Sequence, residues 1–485
     1  MKKYLLLISV FVCGACTMIL ELVGTRVLSP FFGTSIYVWA SLIGVILGSM
    51  SLGYYWGGKI ADRNANIKTY ALIISVSAIL VAIIGFIKNV VLSIVVQMGA
   101  SNAVGGLLAA ILLFAPVSFV LAMVSPYAIK LLSSTMENTG KTAGNISAMS
   151  TLGSIVGTFS AGFLLIPLFG NTVIISSVAI ILIVMAMLVS AGKKEFKSNI
   201  NTLILIIVLV CVTKEYSAFS SAIIAEKDTK YSTVWIVDRE NIRSMIIGEG
   251  AESQKFINPY STELASEYAQ FYDLAFHFNP SAQDTLCIGG AGYSYPQYYL
   301  DKYPQKRMDV AEIDEEVTEL AREYFDLKDD PRLQIFHEDG RIFLNKNEKK
   351  YDAIFGDAFS SIAPPYSLST VESMQKISDS LTDEGVFVLN IITGIEGTKG
   401  KFLSAMMNTI EEVFPQVSAY AVDSTKDKSE KQNVIIVALK TEKEASKISN
   451  DARIQNMLNN RVDVKKVSDM ILTDEHSPVE FLTGV

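Results

Sequence analysis

The 485-residue sequence predicts a multi-pass α-helical membrane domain followed by an α/β domain of Rossmann-like type. Three observations predict this. First, hydropathy and charge divide unevenly: residues 1–225 hold 13 Lys and Arg against 5 Asp and Glu, whereas residues 226–485 hold 28 against 44. A net +8 apolar block therefore precedes a net −16 polar one. Second, the later part alternates short apolar runs with amphipathic segments, the pattern of a doubly wound sheet. Third, Thr285–Asp314 reads as strand, Gly-rich turn, helix and second strand ending in acids, a right-handed crossover unit. The expected divisions are a transmembrane domain of six to seven helices at 1–225, a β-hairpin region at 226–260, the Rossmann-like domain at 261–440 and a helical tail at 441–485.

In the first block the expected spans are 4–28, 37–57, 70–87, 104–125, 146–168 and 171–191. The first is too long for a signal peptide and lacks a small-x-small cleavage site. Basic residues fall in alternate loops: Lys2 and Lys3; Lys59, Arg63 and Lys68; Lys130 and Lys141; Lys193, Lys194 and Lys197. By the positive-inside rule the N-terminus is cytoplasmic and the chain returns there after six spans. A seventh segment, Leu203–Val212, is interrupted by Lys214 and Glu215. About twelve apolar residues reach roughly 18 Å as helix, short of a ~30 Å hydrocarbon core. The reading is an interfacial segment and a cytoplasmic soluble domain in a multi-pass protein of the cell membrane; if the segment spans, that domain is outside. Gly44, Gly48, Gly53 and Gly57 favour close helix contact. Glu21 and Arg26, ionisable within or near the end of the first span, are functional candidates or a compensating pair.

In the second block, Tyr231–Ile247 reads as a hairpin about Asp238–Asn241, and 262–278 as a helix. Strands follow at 285–290, 308–313, 333–337, 351–356 and 386–392, with an antiparallel pair at 417–422 and 433–439. An acidic surface excludes nucleic acid as partner, since phosphate binding needs a basic stripe; it suits a cationic substrate. Cys13, Cys16, Cys211 and Cys287 with His277, His337 and His476 form no metal-ligand spacing, and Cys13-x-x-Cys16 lies within an apolar helix as packing residues. No metal is expected.

Four strand ends carry the chemistry. Gly289, Gly290 and Gly292 follow the first and allow close approach of a ligand; Glu312 ends the second, placed to accept ribose hydroxyls. Asp339 follows the third and Asp357 the fourth. An acid after the third strand suits the amino group of adenine, and Asp357 falls where a substrate nucleophile would wait. Each acid alone also fits a helix N-cap or a solvated turn; the ordered set is what points to a nucleoside site.

LCIGGAGYS, DVAEID, HEDGRIFL and YDAIFGDAFSS, followed by Pro364-Pro365, resemble the spermidine synthase (polyamine aminopropyltransferase) family. The pattern is closest to its membrane-fused branch, which LELVGTR at Leu20–Arg26 and LTDEHSP at Leu472–Pro478 also resemble. Gly57–Arg63 looks like a loop of major-facilitator transporters. The resemblance implies an S-adenosylmethionine-dependent methyltransferase-type fold with S-adenosylmethionine or its decarboxylated form as donor. It implies that Gly289, Gly290 and Gly292 approach the donor, Glu312 holds its ribose and Asp339 its adenine. Asp357 matches the general base that deprotonates an ammonium nucleophile. Two departures stand out: Gly292 and Ser360 occupy positions where the soluble enzymes carry amine-anchoring acids. Tyr268, Asp273, Ser360 and Asp474 are the candidates for the substrate side.

The function this implies is a membrane-anchored aminopropyltransferase-like enzyme acting on a small-molecule amine or other nucleophilic acceptor. The alternatives are a methyltransferase on the same scaffold, and a transporter or sensor whose soluble domain binds a nucleoside without turnover. The lipid bilayer is a partner, and an oligomer is left open.

Overall fold

Six helices long and apolar enough to cross a membrane open the computed structural model: α1 (Tyr4–Phe32), α2 (Ile36–Arg63), α3 (Ile67–Gln97), α4 (Asn102–Leu132), α5 (Thr139–Leu168) and α6 (Asn171–Val189). They coincide with the six spans expected from hydropathy; the first five run longer than expected, and the sixth ends two residues earlier, at Val189. The structure describes residues 2–483 apart from 34, 64, 100, 134–138, 192–199, 201, 204–205, 208–221, 249, 259–262, 359–364, 443–445 and 466. Most of the seventh segment lies outside the described residues. By internal contacts the chain forms two units, Met1–Ser221 with Lys227–Thr233, and Ala222–Glu226 with Val234–Val485.

Within the helical unit, glycines set the closest approaches, though not all of the expected ones. A Cβ on Gly53 would meet the Phe119 carbonyl at 2.2 Å and one on Gly57 the Met123 Cα at 2.7 Å, so α2 lies backbone to backbone on α4. Gly44 and Gly48 have no neighbour within 4 Å, correcting that half of the expectation: they face away from the packed side of α2. The other close crossing was not anticipated. Gly153 and Gly157 of α5 seat against the carbonyls of Phe11 and Ala15 in α1, a small-xxx-small pair doing what such pairs do between apolar helices. A π-turn at Ala161–Leu165 interrupts α5.

The second unit opens with a four-stranded antiparallel sheet, β1 (Ile223–Asp228), β2 (Thr233–Arg239), β3 (Ile242–Ile247) and β4 (Gly250–Phe256), in that order. The expected hairpin is its centre, β2–β3, with Glu240 in the left-handed region at φ 53° to make the tight turn. The helix expected at 262–278 is instead three short pieces, Glu267–Gln270, a 3₁₀ turn Phe271–Asp273, and Leu274–Phe278. Aromatic packing overrides the uniform 3.6 spacing there: Tyr272 is fully buried against Tyr295 and Phe355.

The main sheet has eight strands in the order β12-β10-β11-β9-β8-β5-β6-β7. Its parallel part is β5 (Asp284–Ile288), β6 (Arg307–Ala311), β7 (Leu333–Phe336), β8 (Tyr351–Gly356) and β9 (Leu381–Thr393). The connecting helices are α7 (Ser294–Lys302), α8 (Glu315–Tyr324), α9 (Gly340–Lys346) and α10 (Val371–Ser380). Then α11 (Lys401–Glu411) leads to an antiparallel extension of β10 (Gln416–Ala421), β11 (Gln432–Leu439) and the two-residue β12 (Arg461–Val462). The tail, expected to be helical, is helical only over α12 (Ala452–Asn459) and α13 (Val479–Thr483). It instead contributes β12 to the sheet and lays Leu472, Val479 and Leu482 into the core. Asp451 caps α12 through the amides of Arg453 and Ile454.

This topology positions the site. From β5 the chain winds outward through β6 to β7, then returns to the other side of β5 as β8. The strand ends of β5 and β8 therefore flank a switch point, where doubly wound sheets open a crevice.

Candidate active site

The Gly-rich turn leaves β5 in a conformation few sequences tolerate. Gly289 (φ 99°), Ala291 (φ 43°) and Tyr293 (φ 54°) all take positive φ, a strained set that only a fixed environment maintains. That environment is Glu312, at the end of β6. Its Oε2 accepts the amides of Gly290 at 2.8 Å and Ala291 at 3.0 Å, while Oε1 accepts that of Asp314 at 3.0 Å. Tyr293, fully buried, anchors the far side through its hydroxyl on Thr318 at 2.8 Å. At Gly289 a Cβ would stand 2.6 Å from the Asp357 carbonyl, so the two strand ends meet backbone to backbone. The Asp357 amide in turn donates to the Ile288 carbonyl at 2.8 Å.

Gly292 sits elsewhere in this cradle. A Cβ there would lie 2.7 Å from the Phe325 ring and 2.8 Å from Ser253 Oγ, and Phe325 is buried. The side of the turn where related enzymes are expected to carry an acid is filled by a ring. Asp339 caps α9: its Oδ1 accepts the amides of Arg341 at 2.9 Å and Ile342 at 3.0 Å. Oδ2 makes no hydrogen bond among the described residues, which leaves one oxygen for a ligand.

Asp357, just past β8, lies at the floor of a cavity of about 410 Å³. Tyr268 Oη donates to its Oδ2 at 3.3 Å and Asn390 Nδ2 to its Oδ1 at 3.4 Å. Both bonds are long and the site is largely withdrawn from water. Desolvation accordingly pushes the carboxyl up to about 7, against the lowering effect of the hydrogen bonds from Asn390 and Tyr268. A carboxylate with a near-neutral pKa in a cleft is poised for proton transfer at physiological pH. The cavity walls are Gln254, Asn390, Gln432 and Asn433, with Glu267, Asp423 and Lys426 at the exposed rim. Its charge is net negative, the polarity that favours a cation. A second, narrower recess joins Gly289, Gly290, Ser294, Tyr295 and Asp357, so turn and carboxylate share one space.

The other candidates are placed differently. Tyr268 lines the cavity and touches Asp357. Asp273 does not: it is 3 % exposed and bound by Lys302 at 2.7 Å and by Arg453, an ion-paired anchor joining α7 to α12. Asp474 is held by Arg341 at 2.6 Å and Thr370 at 2.6 Å and lines no part of this cavity. Ser360 lies outside the described residues. In α1, Arg26 Nη1 donates to the Thr229 carbonyl at 2.7 Å, and Glu21 is partly buried. No group of three His, Cys, Asp or Glu suited to a metal lies among the described residues. Asn390, Asn433, Gln432 and Tyr272 were not anticipated. The usable signal was a lone Asn within the apolar run VFVLNIIT and a Gln-Asn pair opening QNVIIVAL.

A glycine turn and a buried acid at the switch point of a doubly wound sheet define a Rossmann-like group-transfer domain. Within that class the comparison is specific: residues 269–447 match the spermine/spermidine synthase domain. The chain is 27 % identical over 200 residues to a polyamine aminopropyltransferase of Vibrio vulnificus, covering 40 % of this chain and 67 % of that one. It is 31 % identical over 143 residues to a probable polyamine aminopropyl transferase of Bifidobacterium longum, covering 30 % of this chain and 31 % of that one. A probable spermidine synthase from Corynebacterium glutamicum aligns with a TM-score of 0.45 at 21 % identity, covering 52 % of this chain and 96 % of that structure.

Proposed function

We propose that the protein is a membrane-anchored aminopropyltransferase-like enzyme, using decarboxylated S-adenosylmethionine and a small amine, with Asp357 as general base. The observation that carries this is Asp357 itself. It is a carboxyl raised to about 7, lining a net-negative cavity and also the small recess beside the Gly289–Gly290 turn. The donor supplies a carbon activated by its sulfonium; the protein's part is to position and to accept a proton. Glu312 and the remaining oxygen of Asp339 would hold the ribose and adenine. The acceptor ammonium, drawn to Asp357, gives up a proton to it. The freed nitrogen forms a C–N bond as the C–S bond breaks, its electron pair staying on sulfur as a neutral thioether.

Gly292 favours a second reading, methyl transfer from S-adenosylmethionine. Phe325 and Ser253 fill the space an amine-anchoring acid would need. Charge asymmetry and the six apolar helices support a membrane setting, with the acidic domain cytoplasmic. The deciding experiment offers purified full-length protein either donor with an amine and identifies products by mass spectrometry. Methylthioadenosine from the decarboxylated donor alone is expected. Asp357→Asn should lower turnover at least a hundredfold while leaving donor affinity within about threefold, in line with general-base contributions of 10²–10⁴. Adenosylhomocysteine as product would replace the first reading with the second; undiminished turnover in the variant would remove Asp357 as base.

A further inference from the structure

One buried group beside Asp357 has no part in the proton transfer. Gln432 opens β11 opposite Thr393 of β9 and lines the cavity. It is 6 % exposed, yet neither Oε1 nor Nε2 makes a hydrogen bond among the described residues. Buried carboxamides are normally satisfied, and one that is not calls for a partner. Its neighbours on the same wall are committed: Asn433 Nδ2 donates to Asn390 Oδ1 at 3.0 Å, which turns the Asn390 amide nitrogen toward Asp357. Among the described carboxamides that line the cavity, Gln432 is the one whose donor and acceptor both lack a hydrogen bond.

That pair of requirements selects chemistry. An ammonium group presents donors only and satisfies Oε1 but not Nε2; an alkyl chain satisfies neither. A hydroxyl or a carboxamide satisfies both. We propose that Gln432 is a specificity-determining residue that selects, as acceptor, a primary amine bearing a hydroxyl or carboxamide group over an unsubstituted alkyl diamine. The proposal rests on the reading of this cavity as the acceptor pocket. It accords with the crowding at Gly292, since a site without that acid depends less on gripping a second ammonium.

The test is calorimetric titration of the full-length protein in detergent, with methylthioadenosine present. The probes are 1,4-diaminobutane, 2-hydroxy-1,4-diaminobutane and 4-aminobutanamide, against wild type and Gln432→Met. At least one of the two substituted amines should bind wild type tenfold or more tighter than the plain diamine. In Gln432→Met that ratio should fall below twofold, by weakening of the substituted amine only. The variant, freed of an unsatisfied buried amide, should melt no lower than wild type. Equal binding of all three amines to wild type would overturn the proposal and leave Gln432 a site for water. So would a ratio that survives the substitution, or a variant that loses all binding together with stability. A transfer assay separates this from the enzyme reading. Equal aminopropylation of plain and substituted amines sinks the selectivity alone; Gln432-dependent binding with no transfer to any amine sinks the enzyme reading alone.

Discussion

Asp357 makes activity and stability respond to pH in opposite senses. Its folded-state value, about 7, lies above the ordinary aspartate value of ~3.9. The folded protein therefore retains a proton that the unfolded chain releases. Stability from this group is complete below about pH 4 and is lost as pH rises through 7. As the proposed base, by contrast, Asp357 would work only when ionised, so on that reading kcat/KM should fall with unit slope below pH ~7. Asp357→Asn should raise stability at pH 8 by about 1–2 kcal/mol, allowing for its partial exposure to the cavity, and should have no such effect at pH 4. A melt showing the same difference at both pH values would assign the effect to packing rather than to charge. At this scale the sequence located Asp357 and Glu312 at their strand ends, because strand ends can be read from the apolar runs before them. It was silent on Asp273 and Asp474, whose partners Arg453 and Arg341 lie 180 and 133 residues away along the chain. No local pattern distinguishes an acid held by a distant arginine from one left for a ligand.

The Gly-rich turn shows why an element cannot be read residue by residue. Its glycines were read as a place where a ligand comes close; what Gly289 approaches within the fold is the Asp357 carbonyl. Gly292 serves a different purpose: it makes room for Phe325 and Ser253, contacts set by the end of α8 and by β4. Placing at this position the acid that the family resemblance leads one to expect should therefore fail to create an amine grip. Gly292→Asp should destabilise the protein by about 1–3 kcal/mol, as overpacking does, and weaken donor binding. A thermal melt unchanged from wild type, with tighter amine binding, would show that the turn can relax. The broken helix at 267–278 has the same origin. Its spacing is helical, but burying Tyr272 against Tyr295 and Phe355 sets the backbone, and tertiary packing outweighs propensity.

Across the whole chain, the two classes of architecture and six apolar helices could be read from hydropathy and alternation, because both are long, periodic signals. The tail could not. Its charge suggested a solvated helix, yet β12 pairs with β10 and Leu472, Val479 and Leu482 are buried. Sparse apolar residues spaced through polar chain carry no period, and only the finished core reveals where they insert. That insertion has a consequence for how the soluble unit opens. The Leu472 amide donates to the buried Thr409 hydroxyl at 2.9 Å, and its carbonyl accepts the Val371 amide at 2.8 Å. One residue thus joins the first turn of α10 to the last turn of α11, and neither helix can loosen there without releasing it. Residues 370–375, 404–410 and 470–474 should behave as one cooperative unit in native-state hydrogen exchange. Their slowest amides should share a single opening free energy and denaturant dependence. Exchange of 470–474 at a lower free energy than the two helices would show the segment to be a detachable strap. If the three stretches exchange together, the last-placed segment is the one whose release unlocks two helices beneath the sheet.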